Sequence, residues 1–175
     1  MKKTIFAIFV FSLCFHQPLF AQELKSEFLF DLVIDLDPPQ VVGPVQKGTR
    51  LIFPFRDGVV KGDKINGKIV GPSAEWGLVP DAATFKVDVR ATIKTDDGAL
   101  IYITYSGYNY TREKDSTIIK AGKVGEPSPS DSYFRTSVFF ETSASKYAWL
   151  NHTIAVGVGR LPAPDKVIYR IYAIR

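Results

Sequence analysis

The stretch FKVDVRATIKTDDGALIYITY, Phe85–Tyr105, decides the fold class. Phe85, Val87, Val89, Ala91 and Ile93 alternate with Lys86, Asp88, Arg90, Thr92 and Lys94. Successive side chains of a strand point to opposite faces, so this period of two buries one face and wets the other. Asp96-Asp97-Gly98 interrupts the alternation, and Ala99–Tyr105 resumes it as a partner strand. An Asp-Gly step between two alternating runs is a strong local signal for a β-hairpin.

The same period runs through Phe28, Phe30, Leu32, Ile34 and Leu36, set against Glu27, Asp31 and Asp35 and stopped by Pro38-Pro39. Thr49–Arg56 reads as a strand that Pro54 places at an edge or a bend, because proline cannot donate to a ladder. Lys64–Val70 is short and ends at Gly71-Pro72. After Tyr105 the chain predicts a long excursion over 109–131, closed by Pro127-Ser128-Pro129-Ser130; such a loop is a lid, a binding loop or a plain insertion. Three more strands follow, over Phe134–Thr142, Trp149–Gly159 and Lys166–Ile174. With about eight or more strands and no amphipathic helix, the fold is expected to be all-β, a single antiparallel barrel, with a β-sandwich as the second possibility.

The chain has 175 residues and opens with MKKTIFAIFVFSLCFHQPLFAQ. Lys2 and Lys3, an apolar run over Ile5–Phe15, and the small Ala21 form the layout of a secretory signal peptide. The expected organisation is a leader over 1–21, cleaved near Ala21, and one β domain over 22–175 in the periplasm or outside the cell. After cleavage no stable membrane insertion is expected. Cys14 is the one cysteine and falls within the leader, so the mature chain holds neither a disulfide nor a thiolate. The formal charge of +4 includes both leader lysines. Basic residues are scattered without a run or stripe, which gives nucleic acid no electrostatic footprint. The sequons at Asn109 and Asn151 read as accidental.

Chemistry-bearing residues concentrate in Tyr133–Gly159. If 135–141 is one regular strand, Arg135 and Glu141 share a face; on a strand from Tyr147, so do Tyr147, Trp149 and Asn151. Two such faces on adjacent strands would meet across the short link Ser143–Lys146. Arg offers a planar fork of donors, and a desolvated Glu can work as a base near neutral pH. Arg135 and Glu141 are therefore the candidate catalytic pair, with Tyr133, Tyr147, Trp149, Asn151, Trp76 and Arg90 as candidate ligand contacts. The plainer alternative is a structural ion pair with Trp149 in the core. Arg90 and Asp88 also fit an ordinary solvated face, and Trp76, in a loop after Gly71-Pro72, either covers or plugs a barrel end. His152 sits between Leu150 and Ile154 in the pattern and is expected to be packed. A single mature histidine, no cysteine, no calcium loop, no Gly-x-Ser-x-Gly and no phosphate-binding glycines leave no metal or cofactor expected.

An ordered series of short matches adds a resemblance. Gly48-Thr49-Arg50, Pro54, Asp57-Gly58, Gly62 and Gly67 are followed by Glu75-Trp76, Thr95–Ala99 with Ile101, and Gly107. Tyr133-Phe134-Arg135, Phe140-Glu141-Thr142 and Tyr147–Asn151 complete it. The chain so resembles the domain of unknown function 3237 family, from Phe28 to Ile174. The resemblance implies a small β-barrel found in bacteria and fungi, mostly in the cytoplasm, with no agreed catalytic residues to carry over. Three functions stay open: a barrel binding a small, partly apolar molecule of unknown identity; a cofactor-free isomerase, cyclase or lyase using Glu141 and Arg135; and a structural or interaction domain with a filled barrel. The sequence does not fix the oligomeric state.

Overall fold

The computed structural model of the chain describes residues 23–111 and 132–175. The expected leader over 1–21 and most of the expected excursion, 112–131, lie outside the described residues. Nine strands follow one another: β1 (Ser26–Leu36), β2 (Gln40–Val45), β3 (Gly48–Lys61), β4 (Gly67–Val79), β5 (Thr84–Thr95), β6 (Leu100–Thr111), β7 (Ser132–Glu141), β8 (Ala155–Ala163) and β9 (Lys166–Ile174). Each strand from β3 to β9 pairs with the next, β9 pairs with β1, and β1 returns to β3. Eight antiparallel strands therefore close into a barrel, as the alternation predicts, and β2 is an extra strand laid on β3. Closure removes the exposed edges that an open sheet must protect.

β3 serves two partners in succession. Its first part pairs with β2, up to Ile52, and its second part, from Phe55, pairs with β1. Pro54 stands at the change-over, where the register with β4 also slips. The short QVVGPV strand itself carries no alternation that reveals it. The hairpin of β5 and β6 turns as expected: Gly98 has φ +88° and donates its N–H to the Thr95 carbonyl at 2.9 Å. A residue with a Cβ is strained there.

Two expectations need correction. Tyr147–His152 is not the start of a strand: Ser145–His152 forms a 3₁₀ helix, and β8 begins only at Ala155. Side chains three apart eclipse in a 3₁₀ helix, so Tyr147 and Leu150 share one face, and both are buried. Asn151 fixes the preceding loop, accepting from the Thr142 N–H at 2.8 Å and donating to its carbonyl at 2.9 Å. His152 is accordingly exposed rather than packed. Glu75-Trp76 is not in a loop either, because β4 continues through it after a register shift between Val70 and Ala74.

The two barrel ends differ. At one end the 3₁₀ helix adds Tyr147 and Leu150 to the buried core that also holds Phe30, Ile93, Ile101, Phe140 and, from the β3–β4 connection, Ile65. The Phe30 and Phe140 rings meet edge-on at 6.2 Å. At the other end, where β4, β6 and β8 finish and β5, β7 and β9 begin, polar groups enter the interior.

Candidate functional site

Inward positions along β6 read Ile101, Ile103, Tyr105, Gly107, Asn109 and Thr111, apolar at the plugged end and polar at the other. β4 contributes Ser73, Glu75 and Gly77 to the same interior, β7 contributes Phe134 and Thr136, and β9 contributes Tyr169. Gly77 permits a close approach: a Cβ there would lie 2.1 Å from the Phe85 ring, so the ring occupies the space a side chain would take. Phe85 in turn meets Phe53 edge-on at 6.1 Å.

These residues wall a cavity of about 290 Å³ beside Phe53, Glu75, Phe85, Asn109, Phe134 and Leu161. Ligand pockets of about 300–1,000 Å³ are usual for drug-sized molecules, so this one suits a small occupant. Its lining is mainly hydrocarbon, with one carboxyl and one amide. Burial pushes the Glu75 carboxyl from its ordinary 4.5 up to about 8; the backbone N–H of Asp88, at 3.2 Å, offsets part of that rise, and the Asp88 charge adds to it. At neutral pH Glu75 is therefore mostly a neutral acid able to donate a proton.

Tyr105 and Tyr169 stack edge-on at 5.0 Å behind this wall, and Phe134 meets Tyr169 at 5.2 Å. Burial pushes both phenols well above their usual range, and the neighbouring Glu75 acts in the same direction. Among the described residues the buried Asn109 Oδ1, Thr111 Oγ1 and Thr136 Oγ1 find no hydrogen-bond partner, and the Tyr105 and Tyr169 hydroxyls have only each other. Buried polar atoms are nearly always satisfied, so three such atoms on neighbouring strands are exceptional. No three His, Cys, Asp or Glu residues among those described stand close enough to share a metal ion.

The residues singled out in the sequence are placed on the outside or in the plug. Arg135 and Glu141 share the outer face of β7 but stand six residues apart, about 20 Å along the strand. Arg135 donates to the Phe134 carbonyl at 2.9 Å and lies over the exposed Tyr133 ring at 5.4 Å. Glu141 and Asn151 line a shallow outer hollow at the plugged end. Tyr147 is a plug residue whose hydroxyl donates to Asp97. Trp149 is half-buried, with Lys64 and Arg175 over its ring. Trp76 is likewise on the outer wall, covered by Arg90, which also pairs with Asp88 at 3.1 Å.

Glu75, Tyr105, Asn109 and Tyr169 are the interior residues the sequence reading passed over. A signal existed for three of them. Continuing the inward alternation of Ile101 and Ile103 reaches Tyr105 and Asn109, and that of Val167 and Ile171 includes Tyr169. Glu75 was hidden because the break at Gly71-Pro72 resembles the end of a strand.

Known proteins resemble this chain in sequence and fold. A UPF0311 protein of Clostridium acetobutylicum is 31% identical over 155 residues, 87% of this chain and 96% of that protein. The crystal structure of a beta-barrel like protein from Acinetobacter baumannii superposes with a TM-score of 0.77 at 32% identity, covering 90% of this chain and 99% of that one. More distantly, the hydroalkoxylation enzyme phnH of Penicillium herquei is 25% identical over 131 residues, 75% of this chain and 71% of that enzyme. With residues 24–174 matched by the family model described as Protein of unknown function (DUF3237), the chain belongs to that family of β-barrel proteins.

Proposed function

We propose that the polar end of the barrel binds a small, partly apolar molecule and transfers a proton to and from it without a cofactor, with Glu75 as the acid and base. The observation that carries this reading is a single protonatable carboxyl, buried in the wall of a hydrocarbon-lined cavity and near polar atoms without partners among the described residues. Such a carboxyl is poised because both its forms are accessible near neutral pH. Glu141, on the solvated outer face, lacks the enclosure that would tune it. The Asn109 amide suits a polar atom of the ligand, and Phe53, Phe85 and Phe134 its apolar part.

Addition of a hydroxyl across a carbon–carbon double bond, the chemistry named for the Penicillium herquei relative, is one reaction such a site can run. The acid protonates one alkene carbon, the hydroxyl oxygen bonds to the other, and the hydroxyl proton returns to the carboxylate. Atoms and charge balance with no external reagent, as they do in an isomerisation. Export of the chain through its apolar N-terminal segment is part of the same proposal; N-terminal sequencing of periplasmic protein that begins after Ala21 would support it, and full-length protein confined to the cytoplasm would refute it.

Native mass spectrometry of protein purified from its own host tests the binding. A retained small molecule that is lost in Leu161→Trp, which narrows the cavity, is the expected result. Incubating that molecule in deuterium oxide then tests the chemistry: carbon-bound deuterium should appear with wild type and not with Glu75→Gln. Absence of any retained molecule, or equal labelling by both proteins, overturns the reading.

A further inference from the structure

Asn109 stands where an asparagine side chain has no structural task. Asparagine is disfavoured inside strands and usually serves a fold by bonding nearby backbone. The other two asparagines of the chain do so. Asn66 clamps Gly62, accepting from its N–H at 3.2 Å and donating to its carbonyl at 2.7 Å, and Asn151 clamps Thr142 in the same way. Asn109 lies instead within the ladders of β6, opposite Phe85 of β5 and Phe134 of β7. All three residues line the inner cavity, so the amide is set between two aromatic neighbours in its wall. Asn109 is 5% exposed, and its Oδ1 has no partner among the described residues. An acceptor held in this way calls for a donor that enters the cavity from outside.

The same wall has no fixed charge to meet that donor's molecule. Among the described residues that line the cavity, Glu75 alone is ionisable. Its carboxyl is buried with one backbone donor, the Asp88 N–H, and burial favours its neutral form. A carboxylate in the cavity would lose its hydration without gaining an opposite charge. An ammonium group would bring three donors, and a buried ion pair with Glu75 repays its desolvation only when its remaining hydrogen bonds are made. The rest of the lining is mainly hydrocarbon and cannot make them. A hydroxyl matches the wall on both counts: it donates to Oδ1, accepts from a protonated carboxyl, and carries no charge.

We infer that Asn109 is the specificity residue of the cavity, accepting a hydrogen bond at Oδ1 from the hydroxyl of an uncharged, largely apolar alcohol or phenol. This names the ligand class of the site proposed above and rests on that reading. The cavity of about 290 Å³ admits a molecule of one or two rings.

Matched probes of one ring system test the inference. Affinities of 2-naphthol, its methyl ether, 2-naphthoate and 2-naphthylmethylamine would be measured by calorimetry at neutral pH on wild type and on Asn109→Leu. In wild type 2-naphthol should bind about tenfold more tightly than the ether, which leaves Oδ1 unpaired, and roughly a hundredfold more tightly than the two charged probes. In Asn109→Leu the naphthol should lose its advantage while the ether binds at least as well. That variant replaces an unpartnered amide by a side chain of similar size and should melt no lower than wild type. A lower melting temperature would show that the fold itself satisfies Asn109, and would overturn the inference. Equal affinity for naphthol and ether in wild type, or a preference that survives in Asn109→Leu, would overturn the role of Asn109 and leave the cavity standing. Tighter binding of the carboxylate or the amine than of naphthol would overturn the uncharged class. Failure of every probe, the ether included, would overturn cavity binding and this inference with it.

Discussion

The two ends of the barrel treat polar atoms in opposite ways. At the plugged end the Asp97 carboxylate accepts from Lys146, from Thr95 Oγ1 at 2.5 Å and from the Tyr147 hydroxyl at 3.1 Å. Thr153 Oγ1 donates to the Trp149 carbonyl at 2.9 Å, and Asn151 closes its loop with two bonds. At the other end Asn109 Oδ1, Thr111 Oγ1 and Thr136 Oγ1 find no partner among the described residues, and a carboxyl is buried with a single backbone donor. A satisfied buried polar group adds roughly 1 kcal/mol, whereas an unsatisfied one costs about 1–3 kcal/mol. The plugged end therefore holds the fold, and the polar end leaves buried polar atoms without partners among the described residues. Sites that break the rules of good packing in this local, clustered way are where function is expected.

The largest test of the contrast is Glu75→Gln. The folded carboxyl titrates at about 8 and an unfolded one near 4.5. A raised acid pKa contributes stability that is fully present below about 4.5 and is lost as pH rises toward 8, because the unfolded chain releases the proton first. The wild type should weaken over that window by roughly 4 kcal/mol more than Glu75→Gln. Urea unfolding of both proteins at pH 4.5 and 8.5 reads the difference. A pH-independent gap between them would mean that Glu75 is ionised in the native state, and the polar end would be less costly than argued.

Next in size is Leu150→Ala in the plug. Leu150 is fully buried, and truncating such a leucine leaves a cavity as well as losing its transfer free energy. The expected loss is about 3 kcal/mol in urea unfolding, with affinity for a ligand at the polar end unchanged. A loss well below that, or a large change in ligand affinity, would show that the two ends are not separate in energy.

How much of this was legible in the sequence depends on the distance over which each feature is encoded. The β5–β6 hairpin and the inward rows of β1 and β9 are local, written as alternation and a Gly98 turn, and they are found where expected. Barrel closure depends on β1 pairing with both β9 and β3, a long-range fact that strand count suggests but alternation cannot encode. Ser145–His152 defeats the alternation rule because Tyr147, Trp149 and Asn151 satisfy a period of two while Tyr147 and Leu150 satisfy a period of three. Packing of Leu150 and the Asn151–Thr142 bonds select the second. For the site, charge and aromatic density drew attention to Arg135, Glu141 and Trp149. An outer wall also collects charge, and the stronger signal was the less conspicuous one of polar residues on apolar faces, at Tyr105, Asn109 and Tyr169. Glu75 needed the register of β4 across its irregularity after Val70.

A matched pair of substitutions sharpens the contrast at smaller scale. Thr153→Val at the plugged end removes a donor from the Trp149 carbonyl and should cost about 1 kcal/mol. Thr136→Val at the polar end removes a hydroxyl with no partner among the described residues, in an isosteric change, and should be neutral or stabilising by up to about 1 kcal/mol. Opposite signs for one chemical change at the two ends would be direct support for the division. Equal costs would show that Thr136 is as well satisfied as Thr153.

The smallest effect is expected for Asp97→Asn, since Asp97 and its charged partner Lys146 are both exposed and such pairs contribute little. Lys146, followed by Thr95, holds the Asp97 carboxyl well below the usual carboxylate range. A depressed acid pKa contributes stability present above the unfolded value of about 3.8 and lost as pH falls toward the folded one. Wild type should therefore melt slightly above Asp97→Asn at pH 6, and the two curves should converge as pH falls below about 3.8. This is the reverse of the Glu75 dependence, whose stabilising window lies on the acid side. One carboxyl is tuned by partners to stay charged and the other by burial to stay neutral, so acid should erode the plugged end and base the polar end. Melting curves across that range for the two single variants and their combination would show the two slopes adding independently if the ends are uncoupled; a combined variant that departs from additivity would place Asp97 and Glu75 in one cooperative network.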